Sequence, residues 1–343
     1  MRNVRGRIAA ASRNLLYAGA CRAGLDRVGR RRNRNALLIL TYHGIRPAGL
    51  TTGWDWPLLP VDEFERQVAH LRKHYVVKFI DDAWDALVDG ETAGPTAVVT
   101  FDDGYRSVHD FALPILRDYG IPATVFLATG FIDTDSILWT AELGMAFHGS
   151  RTARIDLSGL GMGRVDLGRR RDREAIARAV VARLKRIPPG SREPLVDHVR
   201  QALRADGSRR DAFAMMTWRE IEELERSGLV TFGAHTVHHE ILSRLDDAEV
   251  LSEIAGSVDT IRRRLNAVSS FFAYPNGAAG DFDERAVAAV RHAGLRGAVS
   301  TMQGFTYAGT DPYALRRFNI GGHMALCEFR ILTSGAIPHR GRT

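Results

Sequence analysis

Short apolar, β-branched runs alternate with stretches of helical apolar spacing along most of the chain, and this alternation limits the possible folds more than any other feature. Ala36–His43, Ala97–Val99, Ile121–Leu127, Leu229–Ala234, Ser270–Tyr274, Ala298–Thr301 and Leu315–Ile320 read as strands, with a further one over Tyr75–Ile80. Val61–Lys73, Asp82–Val88, Arg106–Leu116, Thr217–Ser227, Asp246–Leu265 and Asp283–Ala293 read as helices, and Gly228 and Gly294 stand where two of them should stop. Strand–helix alternation implies an α/β fold with a parallel sheet. Seven or eight strands favour closing that sheet into a barrel, whose functional residues should gather at the C-terminal ends of the strands.

Two segments lie outside the rhythm. From about residue 133 to 214 the chain carries a Gly-rich patch (Gly159 to Gly168), a basic run (Arg169, Arg170, Arg171) and two helical stretches, one with the apolar stripe Ile176, Val180, Leu184 and Ile187. This reads as a mostly helical insertion in a domain spanning 36–343. Residues 1–35 form a basic arm. Val4, Ile8, Ala11, Leu15 and Ala18 are spaced for one helical face, and residues 1–34 hold ten Arg against one Asp. The arm therefore carries +9 and the remainder −2, which sum to the net charge of +7, so the body is slightly acidic. A nucleic-acid-binding body should have its own basic face, so no nucleic-acid partner is expected. The arm suits peripheral contact with an anionic membrane, or equally a solvated tail or a helix docked on the body. Arg13 and Asn14 interrupt any signal-peptide core, and no apolar run reaches the ~20 residues of a membrane span. The expected location is cytoplasmic or peripheral to the inner membrane. Cys21 and Cys327, the only cysteines, make neither a disulfide framework nor a Cys-based zinc site.

The strand-end rule can be tested on polar residues. Asp102-Asp103-Gly104-Tyr105 follows the strand at Ala97–Val99, and neighbouring carboxylates repel unless one is neutral or both are held by a cation. Alone, such a turn is as well explained by a helix N-cap. However, His235-Thr236-Val237-His238-His239 closes another strand, and Tyr42-His43 and Tyr274-Pro275-Asn276 close two more. One Asp with two His suits zinc or another divalent ion with positions left open for water and substrate, and the second Asp remains for proton chemistry.

These residues carry a resemblance. Thr100-Phe101-Asp102-Asp103-Gly104-Tyr105 is similar to the first motif of the polysaccharide deacetylase family (carbohydrate esterase family four), and His235-Thr236-Val237-His238-His239 to its His-Ser/Thr-x-x-His motif. Thr217-Trp218, Leu242-Ser243-Arg244-Leu245 and Phe272-Ala273-Tyr274-Pro275 also resemble family sequence, so that the likeness covers about 36–132 and 214–320. It implies a distorted (β/α) barrel and metal-dependent removal of acetyl groups from carbohydrate. Carried over, Asp103, His235 and His239 hold the metal, Zn2+ foremost with Co2+ or another divalent ion as alternatives. Asp102 is then the general base, and the Tyr105 N–H helps bind the oxyanion.

The chain departs from the family twice. Ala273 stands where many members place a base-orienting Arg, and Leu315–Ile320 lacks the usual catalytic-acid His. The Tyr-His pair and the Phe-Ala-Tyr-Pro motif resemble the branch containing poly-β-1,6-N-acetylglucosamine and chitooligosaccharide deacetylases. That likeness puts the acid on His43, with His323 as the competitor. Tyr274, Pro275, Asn276 and Trp139 are candidate substrate contacts. The expected activity is N-deacetylation of N-acetylhexosamine units in a bacterial polysaccharide or chitin-like oligomer. A carbohydrate-binding protein of the same fold that has lost turnover is the alternative; a metal phosphoesterase is disfavoured by the want of a Gly-rich phosphate loop. The oligomeric state is left open.

Overall fold

The computed structural model describes residues 15–205 and 210–337. Its centre is a ring of seven parallel strands, β1 (Leu37–Tyr42), β2 (Thr96–Phe101), β3 (Ala123–Leu127), β4 (Val230–Ala234), β5 (Val268–Ala273), β6 (Gly297–Val299) and β7 (Phe318–Asn319). Their spatial order is β6-β5-β4-β3-β2-β1-β7. β1 and β2 are buried at every position, as strands covered on both faces must be. They run in register from Leu37 opposite Thr96 to Tyr42 opposite Phe101, so their C-terminal ends lie level. The ring closes at one bridge, where the Leu315 N–H donates to Ala298 O (3.0 Å) and Leu315 O accepts from Ser300 N–H (2.9 Å). A barrel with one seam this thin is distorted, in line with the expected class. In β4, a Cβ on Gly233 would lie 2.5 Å from the Phe126 ring and 2.8 Å from Phe271 O, so this crowded crossing admits only glycine.

Most of the predicted elements are present, and the departures have local causes. The strand expected at Tyr75–Ile80 shrinks to Val76–Val77, because Ile80 already opens a helix. The helix expected at Arg106–Leu116 is a π-helical turn (Val108–Ala112) followed by an α-helix from Leu113 to Tyr119. Pro114 has no N–H to donate and its ring crowds the carbonyl four residues back, which breaks the regular ladder there. The C-terminal helix from Leu326 to Ser334 lies beyond the last predicted element. Its buried face includes Thr333 and Ser334, whose hydroxyls bond back to Phe329 O and Ile331 O, and these polar residues interrupt the apolar stripe.

The described residues include twelve α-helices. They are α1 (15–22), α2 (Leu25–Arg32), α3 (Val61–His74), α4 (Ile80–Val88), α5 (Leu113–Tyr119), α6 (Trp139–Gly149), α7 (Arg170–Leu184), α8 (Pro189–Leu203), α9 (Trp218–Arg226), α10 (Asp247–Arg264), α11 (Glu284–His292) and α12 (Leu326–Ser334). Capping boxes start α9, at Thr217 and Glu220, and α10, at Asp246 and Glu249. α6, α7 and α8 belong to the inserted region, where the Gly-rich patch forms a hairpin between Arg154–Asp156 and Arg164–Asp166. Their core joins Leu143, Phe147, Val180, Leu184 and Leu203 to Trp54, Leu58 and Tyr105 at the barrel mouth.

A buried histidine on α3 ties stability to pH. His70 is 8% exposed, its Nε2 has no hydrogen-bond partner, and burial, reinforced by His74 and Arg30, pushes its pKa down to about 3. The unfolded chain takes up a proton near the ordinary value of 6.5 and the folded chain does not, so this contribution is complete above that value and lost as the pH falls below it. Going from neutral pH to about pH 5 should cost about 2 kcal/mol at this residue. In urea unfolding at the two pH values, His70→Leu should lose less stability on acidification than wild type by about that amount.

Candidate active site

Six of the seven strands send residues into one pocket of about 310 Å³ at their C-terminal ends. His43 follows β1, Asp102 and Asp103 follow β2, His235 and His239 follow β4, Asn276 follows β5, Thr301 follows β6, and Asn319 ends β7. Trp54, Trp56, Pro57 and Tyr105 line it, as do Leu138, Thr140 and Lys185 from the inserted region.

Asp103, His235 and His239 each bring a ligand atom to one spot, all within 4.8 Å of one another. The Nδ1 of His235 lies 2.7 Å from Ala273 O, so its proton is on that nitrogen and Nε2 offers a lone pair. That lone pair faces Asp103 Oδ1 at 3.5 Å, and His239 Nε2 approaches the same oxygen at 3.2 Å. Asp103 Oδ1 is buried and has no hydrogen-bond donor. Acceptors gathered this way call for a cation between them. One carboxylate and two imidazoles are a donor set that fits zinc or a similar divalent ion. Burial alone would raise the Asp103 carboxyl, but the imidazoles beside it, His239 foremost, hold it well below the ordinary range.

The backbone is strained to build this centre. Asp103 (φ 75°), Thr236 (φ 63°), His239 (φ 57°) and Asn276 (φ 60°) are four of the six non-glycine residues with positive φ among the described residues. Such conformations are unfavourable by about 1–3 kcal/mol each and persist only where surrounding structure enforces them. Glu253 of α10 does this for the histidine loop, accepting from the N–H groups of Val237 (2.9 Å) and His238 (2.8 Å) and contacting His238 Nδ1 at 2.6 Å. His238 is thereby turned outward, leaving its two neighbours in the motif to face the pocket.

Asp102 is held differently. Arg317, fully buried between β6 and β7, donates to both its oxygens, at 2.8 and 2.7 Å. The same guanidinium donates to Ser300 O (2.9 Å) and Thr100 Oγ1 (3.1 Å), which fixes its plane. Burial works to raise the Asp102 carboxyl, but the Arg317 charge outweighs it and holds Asp102 below the ordinary range. The orienting arginine missing from the position of Ala273 thus has a counterpart from another strand. The sequence reading overlooked it because 215 residues separate Arg317 from Asp102.

Tyr105 pairs with Met215 in an antiparallel bridge whose hydrogen bonds run from Arg106 N–H to Ala214 O and from Met216 N–H to Gly104 O. Tyr105 is therefore the non-hydrogen-bonded member, and its own N–H points away from that segment. His43 lies edge-on to Trp56 at 5.3 Å with its Nδ1 buried and unpartnered, and burial pushes its imidazole down more than Asp103 and Asp102 raise it. His323 is exposed and does not line the pocket. Three expected substrate contacts lie elsewhere. Tyr274 is fully buried and stacks on Phe282 at 4.0 Å, and Pro275 beside it is likewise off the pocket wall. Trp139 carries Arg192 over its ring at 5.0 Å and faces a second cleft between α8 and α10, while its neighbours Leu138 and Thr140 face the pocket. Asn276 does line it. Its side-chain amide donates to Asp281, which orients its Oδ1 to accept from the Lys185 ammonium just past α7.

Comparison with known proteins agrees with this geometry. A family model described as polysaccharide deacetylase matches residues 89–298. No match is found among curated protein sequences. The fold is similar to a Streptococcus pyogenes deacetylase, PplD, solved with acetate (17% identity, 87% of this chain and 98% of that one, TM-score 0.57). It is also similar to IcaB from Ammonifex degensii (17%, 87% and 97%, TM-score 0.54) and to a de-N-acetylase from Aggregatibacter actinomycetemcomitans (13%, 86% and 99%, TM-score 0.52). His43 and Arg317 both lie outside the span matched by the family model.

Proposed function

The chain belongs to the polysaccharide deacetylase family, and from that membership we propose that it is a metal-dependent N-deacetylase of N-acetylhexosamine units in a bacterial polysaccharide or chitin-like oligomer. One observation carries the reading: a cation-seeking Asp103–His235–His239 cluster shares a pocket with a carboxylate, Asp102, kept charged by Arg317. Asp103, His235 and His239 would hold a divalent ion, Zn2+ foremost. When bound, such an ion makes water acidic enough to attack near neutral pH and polarises the acetyl carbonyl.

The chain's own groups supply the rest. Asp102 accepts the proton of the attacking water, and Arg317 keeps its carboxylate ionised and in one orientation. The Tyr105 N–H donates to the oxygen that gains charge, where one donor is typically worth ~10²–10³ in rate. His43 delivers a proton to the departing sugar amine; its place in the pocket supports this role over His323. Asn276 and the tryptophans Trp54 and Trp56 form the walls that meet the sugar. The products are acetate and a cationic amino sugar.

The reading is tested by acetate release from N-acetylglucosamine oligomers of β-1,4 and β-1,6 linkage, with Zn2+ or Co2+ added. Wild type should release acetate only with metal. Asp102→Asn should lower the rate about 10²–10⁴-fold by slowing water attack, and His43→Ala should lower it by slowing departure of the amine. Metal bound by Asp103, His235 and His239 with no release from any acetylated glycan would instead favour the glycan-binding alternative.

A further inference from the structure

The N-terminal helices show two contrasting sides. Their inner side is sealed onto α12. Asp26, the one acidic residue in the first 34, is fully buried and accepts from Arg30 (2.9 Å) and from Arg330 of α12 (3.0 and 2.8 Å). A Cβ on Gly29 would lie 2.6 Å from Ser334 O, so α2 and α12 meet backbone to backbone. Asn33 bonds across to Ser334 O (2.9 Å), and Cys21 Sγ lies 3.6 Å from Cys327 O.

The outer side is both apolar and cationic. Leu15 and Leu16 are each 73% exposed, Leu25 43% and Val28 49%, so four of the nine large exposed apolar side chains among the described residues fall in α1 and α2. Single exposed apolar residues need no explanation, but a cluster of this density marks a contact surface. Arg22, Arg27, Arg31, Arg32 and Arg34 are exposed around them. With Asp26 turned inward, no carboxylate in the arm dilutes that charge. Residues 1–14 add Arg2, Arg5, Arg7 and Arg13 and no acid.

We propose that the outer face of α1 and α2 seats the protein on an anionic lipid bilayer, the arginines on the headgroups and Leu15, Leu16, Leu25 and Val28 in the acyl boundary. Charge complementarity selects a polyanionic partner, and the interleaved leucines select one with an apolar layer beneath its charge. A nucleic acid offers no such layer, and the body, slightly acidic outside the arm, has no basic surplus to extend the contact. α2 leads into the N-terminal end of β1, while the pocket lies at the C-terminal ends of the strands. Leu15, Leu16, Leu25, Val28 and the arginines beside them do not line the pocket, so lipid seated on this face does not occupy it.

The test is flotation of the full chain with vesicles of phosphatidylcholine alone or mixed with phosphatidylglycerol. Wild type should float with the mixed vesicles, not with phosphatidylcholine alone, and added salt should weaken binding. Leu15→Glu/Leu16→Glu, which alters only exposed side chains, should weaken it about tenfold or more, and Arg27→Gln/Arg31→Gln/Arg32→Gln similarly. Circular dichroism and acetate release from a soluble oligomer should stay at wild-type levels in both variants. No flotation with the mixed vesicles would overturn the proposal. So would undiminished flotation of the leucine variant, which would reduce the face to a general polycation.

Discussion

Replacing Arg317 with methionine is expected to lower acetate release by about 10²–10⁴-fold and to destabilise the fold by about 3–5 kcal/mol. Arg317 and Asp102 form a two-bond ion pair that is almost fully removed from water. Taking away the cation leaves a buried carboxylate whose desolvation is opposed only by the more distant His235 and His43. Its pKa must then rise, and near neutral pH a growing fraction becomes protonated and unable to accept the proton of water. The activity that remains should recover as the pH is raised, whereas a purely structural loss would not. Removing both partners should hurt stability less than removing one. Asp102→Asn/Arg317→Met should therefore unfold at higher urea than Arg317→Met while remaining inactive. Wild-type turnover in Arg317→Met would show that Asp102 needs no counter-charge.

Chelating divalent ions should abolish acetate release and lower the midpoint of thermal unfolding, and adding back Zn2+ or Co2+ should reverse both. Asp103 Oδ1 has no donor, and the acceptor nitrogens of His235 and His239 crowd towards it. An ion that satisfies all three binds the folded chain and not the unfolded one. At a hundredfold excess over its dissociation constant it should add about 2.7 kcal/mol of stability. Asp103→Asn should fold yet show neither the activity nor the metal-dependent shift, which separates loss of the ligand set from loss of the protein. Release that survives exhaustive chelation and dialysis would remove the metal from the mechanism.

How much of this was legible in the sequence depended on the range of each interaction. The strands and their order along the chain could be read because apolar periodicity is local, and the pocket's position followed from the rule that parallel strands present their C-terminal ends. Asp102, Asp103, His235 and His239 could be read because each group sits within a few residues of a strand end. Arg317 could not. Its meaning comes from a partner 215 residues away across the barrel, and nothing in Leu315–Ile320 distinguishes it from Arg316. Lys185 was missed for the same reason, since its partner Asn276 is 91 residues distant. Tyr274 and Trp139 failed in the opposite way: an aromatic at a strand end or loop looks like a sugar platform, and only packing shows that Phe282 and Arg192 already cover them.

The thin seam of the barrel bears on the charge of Asp102. The segment that closes the ring at Leu315 also delivers Arg317, just before β7, the last strand among the described residues. Asp103, His235 and His239 all precede this segment in the chain, whereas the cation that keeps Asp102 charged comes with it. Closing the barrel and completing the Asp102 ion pair are thus one event, so whatever opens the seam at Leu315 also loosens the hold on Asp102.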